Sequence, residues 1–306
     1  MKYSDTQMNI IFEKYINFVD ELPYRYTDNI TNLLYIIVPA FILKYGLENE
    51  KTILNTFKNV RIVIKEGTNK KVQAFYKSIP VKKDNNITLH KYIVLQNYHS
   101  NSLVELLDNL VHEYNHALNS ENNSITYEES EILIRTGLSH IKYDKNTLDF
   151  TSKDNNYILE EILNTKETEE IINVIHSFKN YNFDNKKITT ALYFIDNHIT
   201  DKYSSESYKL ETFFTKELTT NRTFMTTLSK LRVKGFIEDI DYWFDNITGE
   251  KNSFKKLVNL IIELTSIKNK EPKWFLSKRK WKRRINELYK DTLYIINTFN
   301  NNCNYK

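Results

Sequence analysis

Apolar residues recur at helical spacing from Asn9 to Asp20. They then run almost unbroken from Leu33 through Ile36, Ile37, Val38, Pro39 and Phe41 to Leu43. The first pattern predicts an amphipathic helix and the second a helix apolar on all sides, which must be buried. The second run is about half the length needed to cross a bilayer and is interrupted by Pro39, so no membrane span is expected. From Asn59 the period changes. Val60–Lys65, Val72–Ile79 and Tyr92–Asn97 are short β-branched and aromatic runs, separated by Gly67–Lys70 and by Lys82–Asn86. They predict three strands of one small sheet.

Helical spacing returns at Leu103, Leu106, Leu107, Leu110 and Val111, with Asn101 or Ser102 available as the cap. Glu131–Tyr143 alternates around Gly137 and predicts a β-hairpin. A further helix is predicted over Tyr157–Ile172, after the polar Ser152–Asn156. Beyond Ile175 the pattern is helical throughout, over Ile188–Tyr203, Leu210–Glu217, Thr223–Lys234, Phe236–Phe244, Leu257–Ser266 and Trp274–Phe299. No unit repeats at a solenoid period.

The chain of 306 residues is long enough for a sizeable core. Only 5 Gly and 4 Pro, against 21 Tyr and 17 Phe, describe a helix-rich chain with few tight turns. A net charge of +4 implies no global polyanion partner, and no nucleic acid is expected. The single cysteine, Cys303, excludes an internal disulfide framework and fits a reducing cytosol. Residues 1–8 lack the basic start and apolar core of a signal peptide. These features together predict a cytoplasmic protein.

The chemistry is concentrated in Val111-His112-Glu113-Tyr114-Asn115-His116-Ala117-Leu118, an HExxH word inside the apolar helical run. Residues four apart share a helix face, so His112 and His116 can offer both imidazoles to one ion while Glu113 sits beside them. Catalytic zinc sites take three protein ligands and leave a fourth position for water. The metzincin word would place its glycine at position 119 and its third histidine at position 122. Both positions hold asparagine, Asn119 and Asn122, so that branch is excluded.

From Tyr92 to Ile175 the chain resembles the gluzincins, zinc metallopeptidases in which an HExxH helix is followed by a helix carrying a glutamate ligand. Leu159-Glu160-Glu161-Ile162-Leu163-Asn164-Thr165 aligns best with that second helix when Glu161 takes the ligand position, 45 positions after His116, and Glu160 is the alternative. Helical phase puts Glu161 with Ile158, Thr165, Thr168 and Ile172, and Glu160 with Asn164, Glu167 and Ile171. Gluzincins commonly carry an acidic residue four positions beyond the ligand; here Thr165 stands there, or Asn164 if Glu160 binds, so this supporting position is neutral either way.

The resemblance implies an α+β zincin-like catalytic domain, a small sheet with active-site helices, followed by a mainly helical C-terminal domain. The expected parts are residues 1–58 as a helical cap, 59–175 as the catalytic core and 176–306 as the helical domain. The resemblance further implies one zinc ion per chain on His112, His116 and Glu161, Glu113 as general base, and cleavage of peptide or protein substrates. His140 and Tyr157 are candidate donors to an oxyanion, and the last strand is expected to lie along the substrate cleft by its edge. The remaining histidines, His90, His99, His176 and His198, show no ligand spacing.

Two other functions remain open. One is a catalytically idle gluzincin-like module that binds a partner. The other is a basic helical protein that binds nucleic acid or membrane through Lys273–Arg284, where tryptophan is interleaved with lysine and arginine. In that segment Trp274, Trp281, Ile285, Leu288 and Tyr289 also fit a buried helical face with the cations turned to solvent.

Overall fold

The computed structural model describes residues 3–65, 73–83, 86–96, 98, 102–154, 156–196, 209–268, 270, 272 and 275–303. Among these the chain is α+β, with eleven α-helices and two small sheets. Its contacts divide it into two units, one made of residues 1–121 and 164–204, the other of residues 122–163 and 205–306. The first unit takes in residues on both sides of positions 58 and 175, the boundaries that the sequence suggested, and the second takes in residues on both sides of 175, because each gathers two separate stretches of chain.

In the first unit, helices α1 (Asp5–Asp20), α2 (Asp28–Tyr45) and α3 (Glu50–Asn59) precede a three-stranded sheet. Helix α2 is buried along nearly its whole length, as its unbroken apolar character requires, and it continues through Pro39. Strands β1 (Val60–Lys65), β2 (Ala74–Lys83) and β3 (Asn86–Gln96) follow in the order β1-β3-β2, with β1 parallel and β2 antiparallel to β3. The last strand is thus the central one, and the expected edge along the site is provided instead by β2.

Helix α4 (Leu103–Leu118) starts on a capping box. The Ser102 side chain accepts from the Glu105 amide, and the Glu105 carboxylate accepts from the Ser102 amide. The alternative cap, Asn101, lies outside the described residues, as do His99, His198 and residues 67–70 and 97.

The second unit opens with an antiparallel meander of β4 (Ile125–Tyr127), β5 (Glu131–Thr136), β6 (Ser139–Asp144) and β7 (Phe150–Lys153). The β5–β6 pair is the predicted hairpin, and Gly137 adopts φ +58° at its turn. Helix α5 (Tyr157–Ser177) runs as one continuous helix through both sequence ranges. Helix α6 (Lys186–Asp196) belongs to the first unit. Helices α7 (Lys209–Thr219), α8 (Arg222–Lys234), α9 (Glu238–Thr248), α10 (Ser253–Lys268) and α11 (Phe275–Cys303) complete the second. Residues 197–203 and Trp274, which the sequence added to helices, lie outside the described residues.

The core of the second unit brings Ile158, Leu159 and Ile162 of α5 together with Phe224, Leu228, Phe244, Leu257 and Phe299. Among the described residues no single helix is long and apolar enough to cross a membrane; α2 and the stretch after it meet that test only as a pair bent by 112°.

Candidate metal centre

Successive residues of the HExxH word point in different directions along the helix, while His112 and His116, four apart, share a face. Tyr114 is fully buried and stacks on Phe57 of α3, with ring centroids 4.2 Å apart. Glu113, 7 % exposed, accepts a 2.5 Å hydrogen bond from the Tyr76 amide of β2. That amide points away from β3, since the neighbouring Gln73 carbonyl, of opposite parity, pairs with Gln96 on β3. The general-base candidate therefore lies against the outer edge of β2.

Asn115 faces α2 and α5. Its side-chain amide donates to Asn164 Oδ1 at 2.7 Å and to Glu167 Oε2 at 2.9 Å, and its carbonyl accepts from the Tyr45 hydroxyl. Glu167 also accepts from Asn119 at 3.2 Å and from Tyr45 at 3.3 Å, and its carboxylate is fully buried. Burying a carboxylate is costly unless donors surround it, and these neutral donors meet part of that need. Asn164 in turn donates to the His112 carbonyl at 2.9 Å. This network fixes α5 against α4 beside the two histidines.

His112 and His116 face α5 with ring centroids 4.9 Å apart and an interplanar angle of 81°. The Thr168 hydroxyl donates to the Asn164 carbonyl at 2.8 Å and stands 3.5 Å from His112 Nδ1, leaving its lone pairs turned toward that nitrogen. One ligand atom from each of His112, His116 and Glu161 lies within 4.8 Å of the other two; among the described residues no other group of three or more His, Cys, Asp or Glu meets this condition. A tetrahedral zinc with bonds of about 2.1 Å spaces its ligand atoms roughly 3.4 Å apart. Small side-chain movements therefore suffice for these residues to hold zinc, and the set of two imidazoles and one carboxylate suits that ion.

Glu160 has a different partner. It is 2 % exposed and forms an ion pair with the fully buried Arg232 of α8, whose Nε donates to Glu160 Oε2 at 3.1 Å. The Leu138 amide donates to the same oxygen at 2.8 Å. Of these two neighbouring carboxylates, Glu160 and Glu161, Glu160 is the more deeply buried, and a guanidinium serves it.

His140 and Tyr157 are outside the His112, His116 and Glu161 group. The His140 ring lies 3.4 Å from Asp154, whose carboxylate also accepts from the His140 amide at 2.8 Å and from the Ser139 hydroxyl at 2.9 Å. Burial pushes the Asp154 carboxyl up, but the His140 and Ser139 hydrogen bonds outweigh it and hold the group below its ordinary range. Tyr157 packs on the core of the second unit, with the Lys153 ammonium 4.8 Å from its ring centre.

Sequence reasoning passed over Tyr45, Asn115, Asn119 and Glu167. The available signal was the density of amide residues in and after the motif, Asn115 and Asn119, one helical turn apart on a face too apolar for polar groups lacking partners. Compared with protein-family models, with curated proteins and with solved structures, the chain gives no match.

Proposed function

We propose that this chain is a zinc-dependent peptidase that hydrolyses peptide bonds in a peptide or protein substrate, built on a zincin-like arrangement of the gluzincin type. The observation that carries this reading is the convergence of His112, His116 and Glu161, from two separate helices, with Glu113 next to His112 in the same helix. His112, His116 and Glu161 would hold the ion. A bound zinc supplies Lewis acidity, which lowers the pKa of a coordinated water toward neutrality and polarises a carbonyl.

The chain's own groups do the remaining work. Glu113 takes the proton from the attacking water and passes it to the departing amine, and the Tyr76 amide holds the carboxylate in place for this. Thr168 turns Nδ1 of His112 toward its hydroxyl, which leaves Nε2 for the ligand role. The edge of β2 beside Glu113 offers a backbone on which an extended peptide can pair.

The test is peptide-library cleavage by the purified protein and by its Glu113→Gln variant. The expected result is cleavage by the wild type and a loss of about 10²–10⁴-fold in the variant, with metal content unchanged. Equal rates in the two proteins would remove Glu113 from the reaction, and a metal-loaded wild type that cleaves nothing would favour a binding module.

A further inference from the structure

The net charge of +4 conceals a strong local concentration. Residues 278–284, Lys-Arg-Lys-Trp-Lys-Arg-Arg, carry six cations and no acid, so the rest of the chain sums to −2, that is, 4 minus 6. The structure places this segment in the first turns of α11 and shows which way it faces. The Trp281 indole donates to the Ile267 carbonyl at 2.8 Å, Leu288 is fully buried, and Ile285 and Tyr289 pack with it against Phe214 and Leu264. At 100° per residue, Arg279, Lys282, Arg283, Asn286 and Lys290 occupy the opposite face, and all five are exposed. Among the described residues no carboxylate pairs with Arg279, Lys280, Lys282 or Lys290; Arg283 pairs with Glu287, and Arg284 with Glu263 and Glu287.

We infer that this face of α11 binds the phosphate backbone of nucleic acid without reading its sequence. Arg279 to Lys290 spans about 16 Å of helix axis. Duplex DNA carries about one charge per 1.7 Å of its own axis, so each of the four cations on the face can meet a phosphate. The two guanidiniums match phosphate oxygens in bidentate fashion. An anionic membrane fits less well. The apolar residues a membrane-surface helix would insert, Trp281, Ile285, Leu288 and Tyr289, are spent on the protein's own core, and the exposed face carries none. This inference does not rest on the peptidase reading, because the face contains none of the metal-centre residues.

The experiment is fluorescence anisotropy of a labelled 20-base-pair duplex titrated with the full chain over a range of salt, for wild type and for a variant combining Arg279→Gln, Lys282→Gln and Arg283→Gln. All three side chains are exposed, and an unchanged melting temperature verifies that the variant is folded. Expected are wild-type binding with a log–log salt slope near −3.6, four contacts at about −0.9 each, and no effect of chelator. The variant should bind at least tenfold more weakly, with a slope shallower by about 2.7. No binding at 50 mM salt, or equal affinity and slope in the variant, would overturn the inference. So would co-sedimentation with phosphatidylserine vesicles in the absence of duplex binding.

Discussion

Glu160 of α5 and Arg232 of α8 form an ion pair with both side chains essentially excluded from solvent. The pair anchors the first turn of α5, immediately before Glu161. An ion pair so deeply buried is costly to break from one side, because the surviving charge is left without compensation.

Arg232→Met is accordingly expected to destabilise the protein by about 3–5 kcal/mol. Adding Glu160→Leu should recover much of that loss. Urea unfolding of the two single variants and the double variant checks this, and strictly additive losses would show that the two residues are not coupled.

Gly137 approaches the same pair. It holds φ +58°, and a Cβ there would lie 2.0 Å from the Glu160 carboxyl carbon. Gly137→Ala should therefore shift Glu160 and lower the melting temperature, with much less effect in a background where Glu160 is already Leu. An equal fall in both backgrounds would assign the cost to backbone strain alone.

The fully buried Glu167 accepts from Tyr45, Asn115 and Asn119, all neutral donors. Glu167→Gln replaces one acceptor oxygen with a donor facing other donors and is expected to cost about 1–3 kcal/mol. The denaturant midpoint measures it, and no change would mean that the network contributes no net stability.

Asp154 sets an acid limit. Its carboxyl is depressed in the folded chain, so its contribution to stability is complete above the unfolded value of about 3.9. That contribution falls away as the pH drops through the lower folded value. Stability should decline below about pH 4, and Asp154→Asn should flatten that part of the profile, as read from thermal melts between pH 2.5 and 6. A decline of the same size in the variant would assign it to other carboxylates.

Local pattern carried much of the fold. The strands of the first sheet, the hairpin around Gly137 and most of the helices, though not α3, were legible because period and turn chemistry are properties of neighbouring residues. Strand order was not legible. That β3 is central and β2 is the edge depends on a parallel pairing between β1 and β3 across an intervening strand, which no local spacing encodes. His112, Glu113 and His116 were legible because one helix fixes their geometry.

The pairing of Glu160 with Arg232, more than seventy positions away, was not legible, because nothing in the local sequence of either residue points to the other. The short strands β4 and β7 were missed because runs of three or four residues do not establish a period.

Metal analysis of the purified wild type, Glu161→Ala and Glu160→Gln after zinc loading and desalting tests the central claim most directly. The account predicts one zinc per chain in the wild type, none retained by Glu161→Ala, and one retained by Glu160→Gln. A wild type that holds no zinc, or a Glu161→Ala variant that keeps a full equivalent, would contradict it.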